Sequence, residues 1–110
     1  MSERAWQLYL NDMRQFAQKI VLYTEGFDQN RSVASGITYD ATLRNLELIG
    51  EAENQIPHTV RATMPRIQWR QIIAVRNRLV HGYLGLDNDT LWSIIQTDIP
   101  LLIAELEEPA

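Results

Sequence analysis

Apolar residues return every three or four positions along almost the whole chain, and no other feature narrows the fold as far. Trp6, Tyr9, Leu10, Met13, Phe16, Ala17, Ile20 and Val21 mark one face of a helix from about Glu3 to Thr24. Ser2 is placed to cap that helix, and Gly26 closes it into a polar connection. A second helix is predicted from roughly Ser32 to Gln55, with Ile37, Ala41, Leu43, Leu46, Ile49 and Ala52 on its apolar face and Pro57 at its end. Pro57 and Pro65 frame a short helical turn. A third helix follows from about Ile67 to Leu79 or His81, with Trp69, Ile72, Ile73, Val75 and Val80 turned inward. Gly82 and Gly85 then break the chain, and Asp87 or Asp89 caps a last helix reaching about Leu106. Pro100 either kinks that helix or sits where its missing donor is tolerated. No run of useful length alternates with the period of two that a strand requires. The expected fold class is all-α: an up-and-down bundle of four main helices with an additional short helix, forming one domain over residues 1–110.

Cysteine is absent, which excludes disulfides and thiolate metal sites; nothing points away from the cytosol, and a cytoplasmic location is expected. The two histidines, His58 and His81, lack an HExxH-type spacing, so neither a metal site nor a cofactor is expected. No run approaches the roughly 18 to 20 apolar residues of a membrane span, and Glu3 interrupts the N-terminal stretch where a signal peptide would need its apolar core. The net charge of −4 conceals an uneven distribution. Residues 54–86 contain Arg61, Arg66, Arg70, Arg76 and Arg78 and not one carboxylate, while the other 77 residues hold all 14 acidic groups against five basic ones. Arginines gathered without carboxylates favour phosphate ligands, through bidentate hydrogen bonding as much as through charge. The acidic remainder argues for a localised site and against a general nucleic-acid coat.

That window ends in AVRNRLVHGY, residues 74–83. On a helix turning about 100° per residue, Asn77 and His81 share a face, so the amide can orient the imidazole. Arg76 lies about 140° from His81 on a regular helix, and the two converge only if the helix loosens at its end. Tyr83, just past Gly82, can fold back over the same spot. Imidazole, guanidinium and phenol together suit cleavage of an RNA phosphodiester without a metal. An imidazole titrates near neutrality and can take the proton of a 2′-hydroxyl or give one to the leaving oxygen. A guanidinium stabilises the extra charge of the phosphorane. One histidine falls short of an acid–base pair, and a two-fold dimer would supply the second. Spacing alone favours a plainer reading, in which His81, Arg76 and Arg78 meet the last carbonyls of a helix and Tyr83 simply packs.

RNRLVHGY, however, resembles the arginine, four residues, histidine, one residue, tyrosine motif of HEPN-domain toxins of the HepT type. YDATLRNLELIGEA (39–52), QWRQIIAVRNRLVHGY (68–83) and LDNDTLWSII (86–95) are similar to blocks of that family in the same order, so the likeness spans essentially the whole chain. The resemblance implies the toxin of a prokaryotic type VII toxin–antitoxin system, a metal-independent endoribonuclease acting on transfer or messenger RNA. It implies a helical homodimer with a shared cleft, within a larger assembly containing an MNT-type nucleotidyltransferase antitoxin. It makes Arg76 and His81 catalytic, Asn77 orienting, and Tyr83 the acceptor of AMP from that antitoxin. Adenylylated Tyr83 would place bulk and a phosphate where RNA binds. Arg70 and Arg78 are candidate contacts to RNA phosphates. Arg44, Asn45 and Glu51 fall in a similar block and are expected to form an inter-helix polar network, with Glu51 holding an arginine; His58 is expected at the surface. Two rivals stand beside this reading: a non-catalytic nucleotide-binding or adaptor subunit of a nucleotidyltransferase, and a purely structural bundle.

Overall fold

The computed structural model describes residues 5–81 and 86–107. Ser2, Tyr83 and the break at Gly82 and Gly85 lie outside the described residues. Among the described residues there are helices and connections but no strand, as the hydrophobic period predicts. No helix among them is long and apolar enough to cross a membrane.

Helix α1 (Ala5–Thr24) buries Met13, Ala17, Ile20 and Thr24, which recur at the helical spacing of its inner face. Thr24 satisfies its buried hydroxyl by donating to Ile20 O at 2.8 Å. The chain leaves α1 through Gly26, whose φ of 77° lies in the left-handed region that a glycine adopts without steric cost.

The single helix expected over 32–55 is two. Helix α2 (Gln29–Ala34) starts at Asp28, whose carboxylate accepts from Arg31 N at 2.8 Å. Helix α3 (Gly36–Glu53) starts afresh at Ser35, which is extended and accepts from Thr38 N on its hydroxyl. Two side-chain caps seven residues apart divide an otherwise continuous apolar period. One consequence is that Ile37, expected on the core face, lies in the first turn of α3 and is 87% exposed. Val21 and Val80, also expected inward, are exposed as well.

After Pro57 comes the expected short turn, α4 (His58–Arg61), and then α5 (Trp69–His81). The last helix is capped by Asp87 rather than Asp89. It runs as α6 (Asn88–Ser93), a π turn (Ile94–Asp98) and α7 (Ile99–Glu107). Pro100, second in α7, accounts for the π turn: its ring and missing N–H oppose an i→i−4 bond, and the wider turn before it relieves both.

Helix α3 lies between α1 and α5, and α7 closes against α1. Met13, Ala17 and Ile20 meet Leu46 and Ile49 of α3 and Ile95, Ile99 and Leu102 of the last helix in one apolar cluster. Helix α5 is different: none of its residues is buried, and its apolar side chains only lean on the core from outside.

Candidate active site

Helices α3 and α5 are in tight contact at Gly50. A Cβ built there would overlap Arg76 Cβ and lie 2.6 Å from Arg76 Cγ, so only glycine permits the contact. The stem of Arg76 therefore rests on the backbone of α3. Its guanidinium is steered by Asn77, whose Oδ1 accepts from Arg76 Nη1 at 3.1 Å. Arg76 Nε is buried and makes no hydrogen bond. An unspent buried donor costs about 1–3 kcal/mol, and it leaves the fork with capacity for an acceptor.

Helix α5 remains α-helical through His81, which is exposed on its last turn. The loosening that would bring Arg76 and His81 together has not occurred by that residue, and the two stay about 140° apart around the axis. One chain by itself does not converge them. Asn77, expected to orient His81, spends its amide oxygen on Arg76 instead.

Of the five window arginines, two lie beside carboxyl groups. Arg61 sits 3.9 Å from Glu53 and Arg66 3.3 Å from Glu105. Arg70 and Arg78 are exposed, and among the described residues neither forms an ion pair. Arg78 lies close enough to Asp87 to help hold its carboxyl below the usual range, a shift owed mainly to the hydrogen bonds from Thr90. Among the described residues no cluster of three or more His, Asp or Glu is placed to hold a metal ion.

The polar network expected around Arg44, Asn45 and Glu51 takes another form. Arg44 pairs with Glu47 at the surface, Asn45 donates to Ala41 O, and Glu51 is exposed. The buried acid beside an arginine is Glu53, 1% exposed and 3.9 Å from Arg61, and burial pushes its carboxyl up to about 7 against the opposing charge of Arg61. Sequence reasoning missed it, although its place four residues after Ile49 on the inner face was a legible signal. His58 is at the surface, as expected.

Fold and motif together define a class: small all-helical bundles that carry an arginine, an asparagine and a histidine on the final turns of one outer helix. The chain belongs to the HepT-like ribonuclease family, whose model matches residues 13–109. It is 33% identical to the protein named "Putative RNase MJ1380" of Methanocaldococcus jannaschii, over 97% of this chain and 98% of that one. It is 32% identical to the "Probable ribonuclease HepT" of Thermococcus cleftensis, over 96% of both chains. A third relative, "Putative RNase TTE0752" of Caldanaerobacter subterraneus, is 28% identical over 91% of this chain and 89% of its own. No solved structure matches the chain.

Proposed function

We propose that this chain is a metal-independent endoribonuclease, the toxin of a type VII toxin–antitoxin pair that cleaves transfer or messenger RNA in the cytoplasm. The observation that carries the reading is Arg76: seated on Gly50, aimed by Asn77, and left with a buried donor for a phosphate to fill. His81, exposed five residues on, takes the acid–base role. The substrate 2′-oxygen attacks phosphorus as its proton passes to one imidazole. The P–O5′ bond then breaks as a second imidazole protonates the leaving oxygen, and a 2′,3′-cyclic phosphate remains. Arg76 stabilises the phosphorane between the two steps. Arg70 and Arg78 hold flanking phosphates; among the described residues neither is tied up in an ion pair, although Asp87 lies near Arg78.

The second imidazole comes from a second copy. Because Arg76 and His81 of one helix face different directions, a two-fold dimer is proposed to set the Arg76 of one protomer near the His81 of its partner. Helix α5, with no buried residue and Val80 45% exposed beside His81, is the surface proposed to meet its counterpart. The partner in the cell is an MNT-type nucleotidyltransferase. It joins the Tyr83 oxygen to the α-phosphate of ATP with release of pyrophosphate, and the added AMP blocks the cleft. Mass spectrometry after incubation with such a partner and ATP should find AMP on Tyr83; equal modification of Tyr83→Phe would remove this part of the proposal. Arg76→Ala and His81→Ala are each expected to abolish toxicity on induced expression and RNA cleavage in vitro. A non-catalytic adaptor would bind partner or nucleotide with no cleavage that depends on His81.

A further inference from the structure

A cleft of about 710 Å³ opens where the end of α3, α4 and the start of α5 meet, at the far end of α5 from His81. Glu53, His58, Arg61, Trp69, Arg70 and Ile73 line it, and its size is that of a small-ligand site. Glu53 forms part of the lining although only 1% of it is exposed. Its Oε1 has no hydrogen-bond partner, and its Oε2 sees Arg61 Nη1 only at 3.9 Å, beyond hydrogen-bond reach. Arg61 is committed elsewhere: Nη2 donates to Glu53 O at 2.8 Å and Nε to Ile56 O at 3.1 Å, with the guanidinium over the Trp69 ring. The indole N–H of Trp69 is committed too, to Arg61 O and Met64 O. The cleft is thus lined by a carboxylate whose two oxygens lack hydrogen-bond donors. The donors beside it, Arg61 Nε and Nη2 and the Trp69 indole N–H, are spent on backbone carbonyls, while the side chains of Arg70 and His58 make no hydrogen bond among the described residues. Buried polar atoms without partners are rare in native proteins and call for an explanation.

We propose that this cleft is a guanine subsite for the RNA substrate, with Glu53 accepting from N1–H and N2–H of one unstacked guanine and Arg70 and His58 at the rim meeting its phosphate. Guanine is the standard base whose Watson–Crick edge presents two adjacent N–H donors, which match two carboxylate oxygens. Adenine and cytosine offer one amino group beside an acceptor nitrogen, and uracil a single N–H. Single-stranded RNA is read in this way, by hydrogen bonds to base edges splayed out of the stack. Twelve residues of α5 separate Trp69 from His81, about 18 Å at 1.5 Å per residue, so the subsite reads a base several nucleotides from the cut and sets where it falls. The inference rests on the reading of this chain as a ribonuclease.

The test is calorimetric titration of the full chain at pH 8, where Glu53 is ionised, with GMP, IMP, AMP and UMP. GMP should bind at least tenfold more tightly than AMP or UMP, and IMP, which lacks the N2 amino group, should fall between. Glu53→Gln should reduce the preference to under twofold with its helical circular dichroism intact. In the wild type, GMP should shift the NMR signal of the Trp69 indole and leave those of Trp6 and Trp92 in place, a readout independent of how the variant folds. Equal affinity for all four nucleotides, no binding at millimolar GMP, or shifts confined to Trp6 or Trp92 would overturn the subsite. His81→Ala should bind GMP as the wild type does while cleaving nothing, so the subsite and the nuclease reading can fail separately.

Discussion

A methyl group on Gly50 would claim the space of Arg76 Cβ and Cγ, so Gly50→Ala must push α5 away from α3 or bend the arginine off its seat. The expected cost is about 1–3 kcal/mol of stability, typical of overpacking, with at least a tenfold loss of RNA cleavage. Thermal unfolding and cleavage kinetics on the same preparation check it, and a variant unchanged in both would contradict the role given to Gly50. Glu53 yields a prediction with a defined sign. Its carboxyl rises from an ordinary 4.5 to about 7, so between those values the folded chain holds a proton that the unfolded chain has lost. Stability therefore falls as pH rises from 4.5 to 7 and levels off above. Glu53→Gln, which has no proton to lose, should match the wild type near pH 4.5 and exceed it at pH 8 by up to about 3 kcal/mol. Urea unfolding at the two pH values measures this; a variant less stable at pH 8 would contradict it. Arg76, Asn77, Arg78 and His81 were legible because their motif is local, all on two turns of one helix. Gly50 and Glu53 matter through what another segment places against them, and a single sequence carries only a faint trace of that.

The apolar period finds the long helices, but α2 (Gln29–Ala34) is not separated by it and the breaks answer to other rules. Ser35 interrupts the expected 32–55 helix with a cap, and a period alone does not register one extended residue. Pro100 is readable as a disturbance, while the form it takes, a π turn (Ile94–Asp98) directly before α7, is one of several ways a helix accommodates a proline, and the period does not choose among them. At the start of that helix two aspartates competed on sequence. Asp87 is the cap because its carboxylate takes both Thr90 N and Thr90 Oγ1 at 2.8 Å. Asp87→Ala should lower the melting temperature at neutral pH, and Asp87→Asn should keep most of it, since an amide oxygen still caps. The carboxyl is held below its usual range, so its contribution is present at neutral pH and fades in acid as pH falls through that lowered value. A melting temperature of Asp87→Ala equal to the wild type at pH 7 would remove the cap from the account.

The molecule as a whole is a bundle with one helix only half used. Helix α5 carries the motif yet buries none of its own residues, and its Arg76 and His81 do not converge within one chain. Light scattering after size exclusion should find a dimer, and Val80→Glu should yield a folded monomer with at least tenfold less cleavage. A dimer unaffected by Val80→Glu would place the interface elsewhere. The four main helices and the short turn after Pro57 are legible in the sequence, because the period that makes a bundle is written along the chain. The shape of the shared site is not, because half of it is proposed to come from another copy. The central claim is that His81 and Arg76 cleave RNA without a metal. The most direct measurement is cleavage of total RNA by purified wild type, Arg76→Ala and His81→Ala, each in excess EDTA. Cleavage by the wild type alone, leaving 2′,3′-cyclic phosphate ends, is the predicted result; equal cleavage by His81→Ala, or none by the wild type until a divalent cation is restored, would contradict it.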